Sequence, residues 1–151
     1  MKLTPLQRER YYPYVGGMVA FAVVLWIHHK GYSISYSENM LASLVSLGGI
    51  FAGFLATVKT LLLTMSGPVQ KRLNESGYIE DLLRYLREGI YGSLLLCILA
   101  MVGFANAIKF PEIHAALLFG LLSFALLALY RITRISVALL VSNNSDDPDE
   151  E

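Results

Sequence analysis

Residues 41–65, LASLVSLGGIFAGFLATVKTLLLTM, run for 25 positions with a single charged side chain, Lys59. About 20 apolar residues in a helix cross the hydrocarbon core of a bilayer, so this stretch alone places the chain in a membrane. Three further apolar stretches flank it, at about 14–29, 89–108 and 113–130. The first has GGMVAFAVVLWIHH at its heart behind Pro13, and the last is opened by Pro111; a proline in the first turn of a helix forfeits no hydrogen bond. A chain surrounded by hydrocarbon satisfies its backbone polar groups internally only as a helix or a closed barrel, and stretches this long and apolar are helices. The expected fold class is therefore all-α, an integral membrane four-helix bundle.

The composition agrees. Of the residues, 55% are hydrophobic and 16% charged, with a mean hydropathy of +0.52, where soluble domains carry about 25% charged residues. Four crossings take about 80 residues and leave about 70, too few for a soluble catalytic domain beside them. The first span follows a polar segment and lacks a small-x-small cleavage site, which separates it from a cleaved signal peptide. Twelve basic and twelve acidic residues cancel, which argues against direct binding of nucleic acid. The single cysteine, Cys97, excludes an intrachain disulfide and a cysteine-based zinc cluster. Glycine-rich phosphate loops, a Ser/His/Asp set and H-E-x-x-H are all missing, so neither an enzyme nor a cofactor or metal site is expected. No span holds an acid in its middle, which counts against a proton-coupled exporter. The small multidrug transporters carry a glutamate in their first span, and VGGMVAFAVVLWI has none.

Basic residues set the orientation. Lys2, Arg8 and Arg10 precede the first span; Lys71, Arg72, Arg84 and Arg87 lie between the second and third; Arg131 and Arg134 follow the fourth. Against these nine, the other two loops carry only Lys30 and Lys109. By the positive-inside rule both termini are cytoplasmic. Tyr11, Tyr12 and Tyr14 then form an inner aromatic belt, with Trp26 and Tyr32 at the outer face. In the 66–88 loop, SGPVQKRLNESG is broken by Gly67, Pro68 and Gly77, whereas YIEDLLRYLREGIYG sets Ile79, Leu82, Leu83, Leu86 and Ile90 at helical spacing. That half is expected to form a short cytoplasmic amphipathic helix between spans two and three. It is either a linker lying on the membrane or, through Lys71, Arg72, Glu80, Asp81, Arg84 and Arg87, a docking surface for a cytoplasmic partner protein. Residues 1–141 form a single transmembrane domain, and 142–151, SNNSDDPDEE, read as a disordered acidic cytoplasmic tail.

Within span two, Ala42, Ser46, Gly49, Gly53, Ala56 and Thr60 recur at alternating intervals of four and three, a small-residue seam that includes a G-x-x-x-G pair. Such seams admit another helix at close range, and here they predict packing inside or between protomers of a homo-oligomer. Ser46, Thr57, Thr60 and Thr64 share roughly one quadrant of the same helix. They are candidates to line a pore, since pores offer replaceable oxygen contacts along a path, although hydroxyls also bond to their own helix carbonyls. Lys59, on the cytoplasmic side of the span's middle, either snorkels to the headgroups or is held by Glu88 in a gating ion pair. His28, His29 and His114 fall on the outer side with no metal-ligand spacing.

The layout resembles the small four-helix membrane proteins of bacterial phage exclusion and phage defence, the RexB-like and KwaA-like proteins. Carrying the resemblance are the basic N-terminus before a short first span, the outer loop YSISYSEN, the second span SLVSLGGIFAGFLATVKTLLLT, and the basic loop ending ESGYIEDLLRYL before two further spans. It implies a bacterial inner-membrane protein that oligomerises, works with a cytoplasmic partner, and senses a membrane disturbance or depolarises the membrane when triggered. A partner-gated ion channel and a non-channel anchor or scaffold subunit are the alternatives. The topology is checked with a phosphatase active only outside the cytoplasm. Fused after Glu151 it should be inactive, and inserted within residues 31–37 it should be active.

Overall fold

The computed structural model of the chain describes residues 5–32, 37–64, 78–104 and 110–144. These form four α-helices: α1 (Pro5–His29), α2 (Glu38–Thr64), α3 (Tyr78–Gly103) and α4 (Pro111–Asn144). Each contains a segment long and apolar enough to cross a membrane, namely Tyr11–His29, Glu38–Thr64, Ile79–Gly103 and Pro111–Ile135. The chain has the make-up of a multi-pass membrane protein.

Local sequence explains the helix ends. At the end of α1 the Gly31 N–H donates to the His28 carbonyl (2.9 Å) and the Tyr32 N–H to the Ile27 carbonyl (3.4 Å). This pair of bonds requires a left-handed residue between helix and loop, and Gly31 supplies it at φ 88°. The Ser37 hydroxyl caps α2 by accepting from the Met40 N–H at 3.3 Å. Pro111 opens α4 after Phe110, whose carbonyl takes the His114 N–H.

Three boundaries differ from the hydropathy reading. α1 begins at Pro5, so Pro13 lies inside the helix instead of starting it; its ring is buried. α3 begins at Tyr78, not near residue 89. Residues 78–88 are thus the first turns of the spanning helix and no separate element, because Leu82, Tyr85 and Leu86 pack against Leu55 of α2 and Ile132 of α4. The apolar stripe that looks membrane-facing in sequence belongs to the bundle core. α4 runs on past Tyr130 to Asn144, carried by the apolar pattern of RITRISVALLV. Ser142, Asn143 and Asn144 of the expected tail are helical. The rest of that tail, and the loop segment containing Lys71 and Arg72, lie outside the described residues.

Successive helices run antiparallel. α3 and α4 are central; α2 packs on α3 and touches α4, while α1 packs on α4, with no extended face between α1 and α2 among the described residues. Leu41, Leu44, Leu96, Ala100 and Leu118 fill the core at the end of the bundle bearing the two short connections. Leu55, Leu82, Tyr85, Leu86 and Ile132 fill it at the end where the chain starts and finishes, the termini end.

Between these clusters, glycines let the backbones close in, as they do where lipid tails leave little hydrophobic drive for association. A Cβ on Gly48 would lie 2.6 Å from Cys97 Sγ and 2.9 Å from the Ser93 carbonyl oxygen of α3. α1 and α4 cross at Gly17 and Gly120, where a Cβ on either would sit 3.1 Å from the other's carbonyl oxygen. Nearby, the Phe124 ring fills the space left by Gly92 of α3 and tilts against the Tyr14 ring at 5.1 Å. Gly120→Leu should therefore destabilise the bundle by about 1–3 kcal/mol through overpacking, read as a lowered melting temperature in detergent. Ala22→Leu, on the exposed side of α1, should leave it unchanged.

Candidate functional site

At the termini end an arginine is buried in the bundle. The Arg131 side chain is 5% exposed, and its Nη2 lies 3.7 Å from Oε2 of Glu88, whose side chain is 23% exposed. The guanidinium carbon stands 3.8 Å from the centre of the Tyr85 ring. Tyr85 and Glu88 are three residues apart on α3, which puts both on the side that meets α4. Tyr14 of α1 packs against Phe124 of α4 with ring centres 5.1 Å apart. A charge out of water is costly unless it is paired. Here the carboxylate supplies the countercharge and the aromatic face adds a cation–π contact, an interaction worth about 2 kcal/mol where both groups are desolvated. The cluster joins α3 to α4.

The expected Lys59–Glu88 pair is not formed: Glu88 is engaged with Arg131, and among the described residues Lys59 has no ion pair. Helical geometry explains this. α2 meets α3 through Leu55, which lies 2.9 Å from where a Cβ on Gly89 would be, and Glu88 is about 100° round α3 from that contact. Lys59 itself follows Leu55 by one turn and is half-buried on the flank facing α3, away from the small-residue seam.

The seam is placed differently from a packing face within the chain. Ala42, Ser46, Gly49, Gly53, Ala56 and Thr60 are all exposed, and a Cβ on Gly49 or Gly53 would meet nothing within 4 Å. α2 packs inside the protomer through the flank carrying Leu41, Leu44, Gly48, Phe51, Ala52 and Leu55. The hydroxyls along the seam are satisfied by their own helix. Ser46 donates to the Ala42 carbonyl (3.0 Å), Thr57 to Gly53 (2.9 Å), Thr60 to Ala56 (3.0 Å) and Thr64 to Thr60 (3.0 Å). The candidate pore-lining residues thus lie on the outside of the single protomer.

Glu80, Asp81, Arg84 and Arg87 are exposed on the first turns of α3, the turns whose buried side holds Tyr85. At the opposite end, His28 Nε2 lies 2.8 Å from Glu112 Oε1, joining α1 to α4. The buried His114 places its Nε2 2.9 Å from the Leu99 carbonyl, joining α4 to α3; His29 is exposed. No group of three or more metal-ligating side chains occurs among the described residues. These histidines act as interhelical ties.

Sequence reading takes Arg131 for a topology marker at the exit of span four. The signal that it lies deeper is the apolar pattern resuming directly after it, with Ile132 almost wholly buried. No protein-family model, no curated protein and no solved structure matches the chain. The cluster is probed by substitution. Glu88→Ala leaves a buried charge uncompensated and should cost about 3 kcal/mol of unfolding free energy in detergent, whereas Lys59→Met should stay within about 0.5 kcal/mol of the unaltered chain.

Proposed function

We propose that this chain is a homo-oligomeric inner-membrane sensor or effector of a bacterial phage-defence system, with both termini cytoplasmic, acting together with a cytoplasmic protein. The observation that carries the reading is the division of α2 into two faces. One flank, centred on Gly48, is used up in packing on α3. The other presents six small residues outward, where a helix of another protomer can approach closely and gain van der Waals contact that lipid does not provide. The resemblance of the sequence layout to RexB-like and KwaA-like proteins supplies the defence context.

Engagement of the partner falls on the exposed side of the first turns of α3, at Glu80, Asp81, Arg84 and Arg87, with Lys71 and Arg72 of the adjoining loop. Among the described residues, these four charged side chains are exposed together on the first turns of α3. The self-satisfied hydroxyls of Ser46, Thr57, Thr60 and Thr64 favour a role in which α2 contacts another helix over one in which it lines water, since each already has its acceptor. Bacteria expressing the chain with its neighbouring gene and challenged with phage test the proposal. Plaque counts should fall, and the protection should be lost on Arg84→Glu with Arg87→Glu. Equal plaque counts with and without the chain would contradict the defence role, and dye or ion release from vesicles containing the purified chain would favour the pore.

A further inference from the structure

Round α3 the neighbours change in a fixed order. Gly92 faces Phe124 of α4, Gly89 meets Ile132 of α4 and Leu55 of α2 together, and Gly48 of α2 meets Ser93 and Cys97. Continuing in the same direction at about 100° per residue, Leu83 and then Arg87 come next, on the flank of α3 beyond α2 and away from α4. On α2 the matching flank is marked by Val45, whose carbonyl accepts from the Cys97 thiol at 3.4 Å. Lys59 stands about four turns farther along that flank. The two helices are antiparallel, with Leu55 level with Gly89, so Lys59 lies about 6 Å and Arg87 about 3 Å from that contact toward the termini end. Both cations thus border one groove between α2 and α3, at nearly the same depth.

Among the described residues no carboxylate answers them. Lys59 and Arg87 form no ion pair there, and Glu88, next to Arg87 in sequence, is turned to Arg131 on the α4 side. Arg87 is exposed and Lys59 half-buried, so the groove opens outward to the surrounding bilayer. Two like charges at the edge of hydrocarbon repel each other and lose hydration, and a countercharge from outside the chain relieves both costs. The depth suits a phospholipid headgroup. Lys59 is about 32 Å of helix from Glu38 at the start of α2, close to the ~30 Å thickness of the hydrocarbon, and a lysine or arginine stem reaches a phosphate a turn away. The outward stripe of α3 continues from Arg87 to Tyr91, Leu94 and Ile98, all exposed. From the headgroup inward this is a cation, an amphipathic ring and two aliphatic side chains, the order in which a phospholipid presents phosphate, ester and acyl chain.

We infer that Lys59 and Arg87 together bind the headgroup of an anionic phospholipid, its phosphate between the ammonium and the guanidinium and its acyl chains against Tyr91, Leu94 and Ile98. Arginine and lysine both pair with phosphate oxygens, and basic sites between spanning helices hold anionic headgroups in this way. A zwitterionic lipid places its own ammonium beside the phosphate, adding a third positive group to two, so the groove selects a headgroup of net negative charge. The site needs only the chain in a bilayer and does not rest on the function proposed above, although Arg87 also belongs to the surface assigned there to a cytoplasmic partner.

The test uses the full-length chain in neutral detergent micelles. Phosphatidylglycerol or phosphatidylcholine with the same acyl chains is titrated in, and bound lipid is counted by native mass spectrometry. Phosphatidylglycerol should bind more tightly than phosphatidylcholine. Lys59→Gln and Arg87→Gln should each weaken phosphatidylglycerol about fivefold and leave phosphatidylcholine unchanged, while Arg87→Lys should retain the preference. Arg134→Gln, at an exposed cation of α4, should leave both lipids as they are. Equal binding of the two lipids would overturn the site, as would an equal loss in Arg134→Gln, which marks diffuse surface charge. Full displacement of the lipid by inorganic phosphate would assign the groove to a soluble anion and overturn the lipid. Melting temperatures without lipid show which variants fold. If Lys59→Gln does not, Arg87→Gln against Arg87→Lys decides in its place, because only the first should lose the preference.

Discussion

A polar group inside hydrocarbon has no water to bond to, and the arrangement of this chain follows from that. The backbone answers with four helices. The side chains answer in three ways: hydroxyls of α2 bond back to their own carbonyls, His114 reaches a carbonyl of the neighbouring helix, and Arg131 gathers a carboxylate and an aromatic face. Only the second and third answers join helices to one another. They sit at opposite ends of the bundle, and the His114 end is tied as well by His28 and Glu112.

Between the ties, association depends on shape. Lipid tails are as apolar as leucine, so burying leucine against another helix gains little over leaving it in lipid, and close backbone approach becomes the contact that distinguishes protein from lipid. Gly17, Gly48 and Gly120 provide that approach inside the protomer. Gly49 and Gly53 have the same chemistry and no neighbour within 4 Å of a would-be Cβ. α2 thus carries two small-residue faces about a third of a turn apart, one filled by α3 and one open.

The number and class of the elements could be read in the sequence because hydropathy over 20 or so residues reports directly on the cost of transfer into a bilayer. The ends could not, since they depend on contacts. Residues 78–88 look amphipathic, and nothing local says whether Leu82 and Leu86 meet a membrane surface or Leu55 and Ile132. The same limit applies to the charges. Glu88 stands out in sequence as an acid at a span boundary, but choosing between Lys59 and Arg131 as its partner needs the rotation of α3 about its axis. The seam shows how fine the margin is: the glycine that packs is Gly48, one residue from the pair that the spacing picks out. Which of the small residues meets a neighbour was decided by one step of about 100°.

We propose that the outward face of α2 is where two copies of the chain meet. Disulfide formation in native membranes tests it most directly, using chains with Cys97→Ala and one new cysteine each. Ala56→Cys and Gly49→Cys lie on the small-residue face, while Phe54→Cys and Leu61→Cys are also exposed but lie off it. Cross-linked dimers should form from the first two and none from the second two. Cross-linking at all four positions alike, or at none, would contradict it.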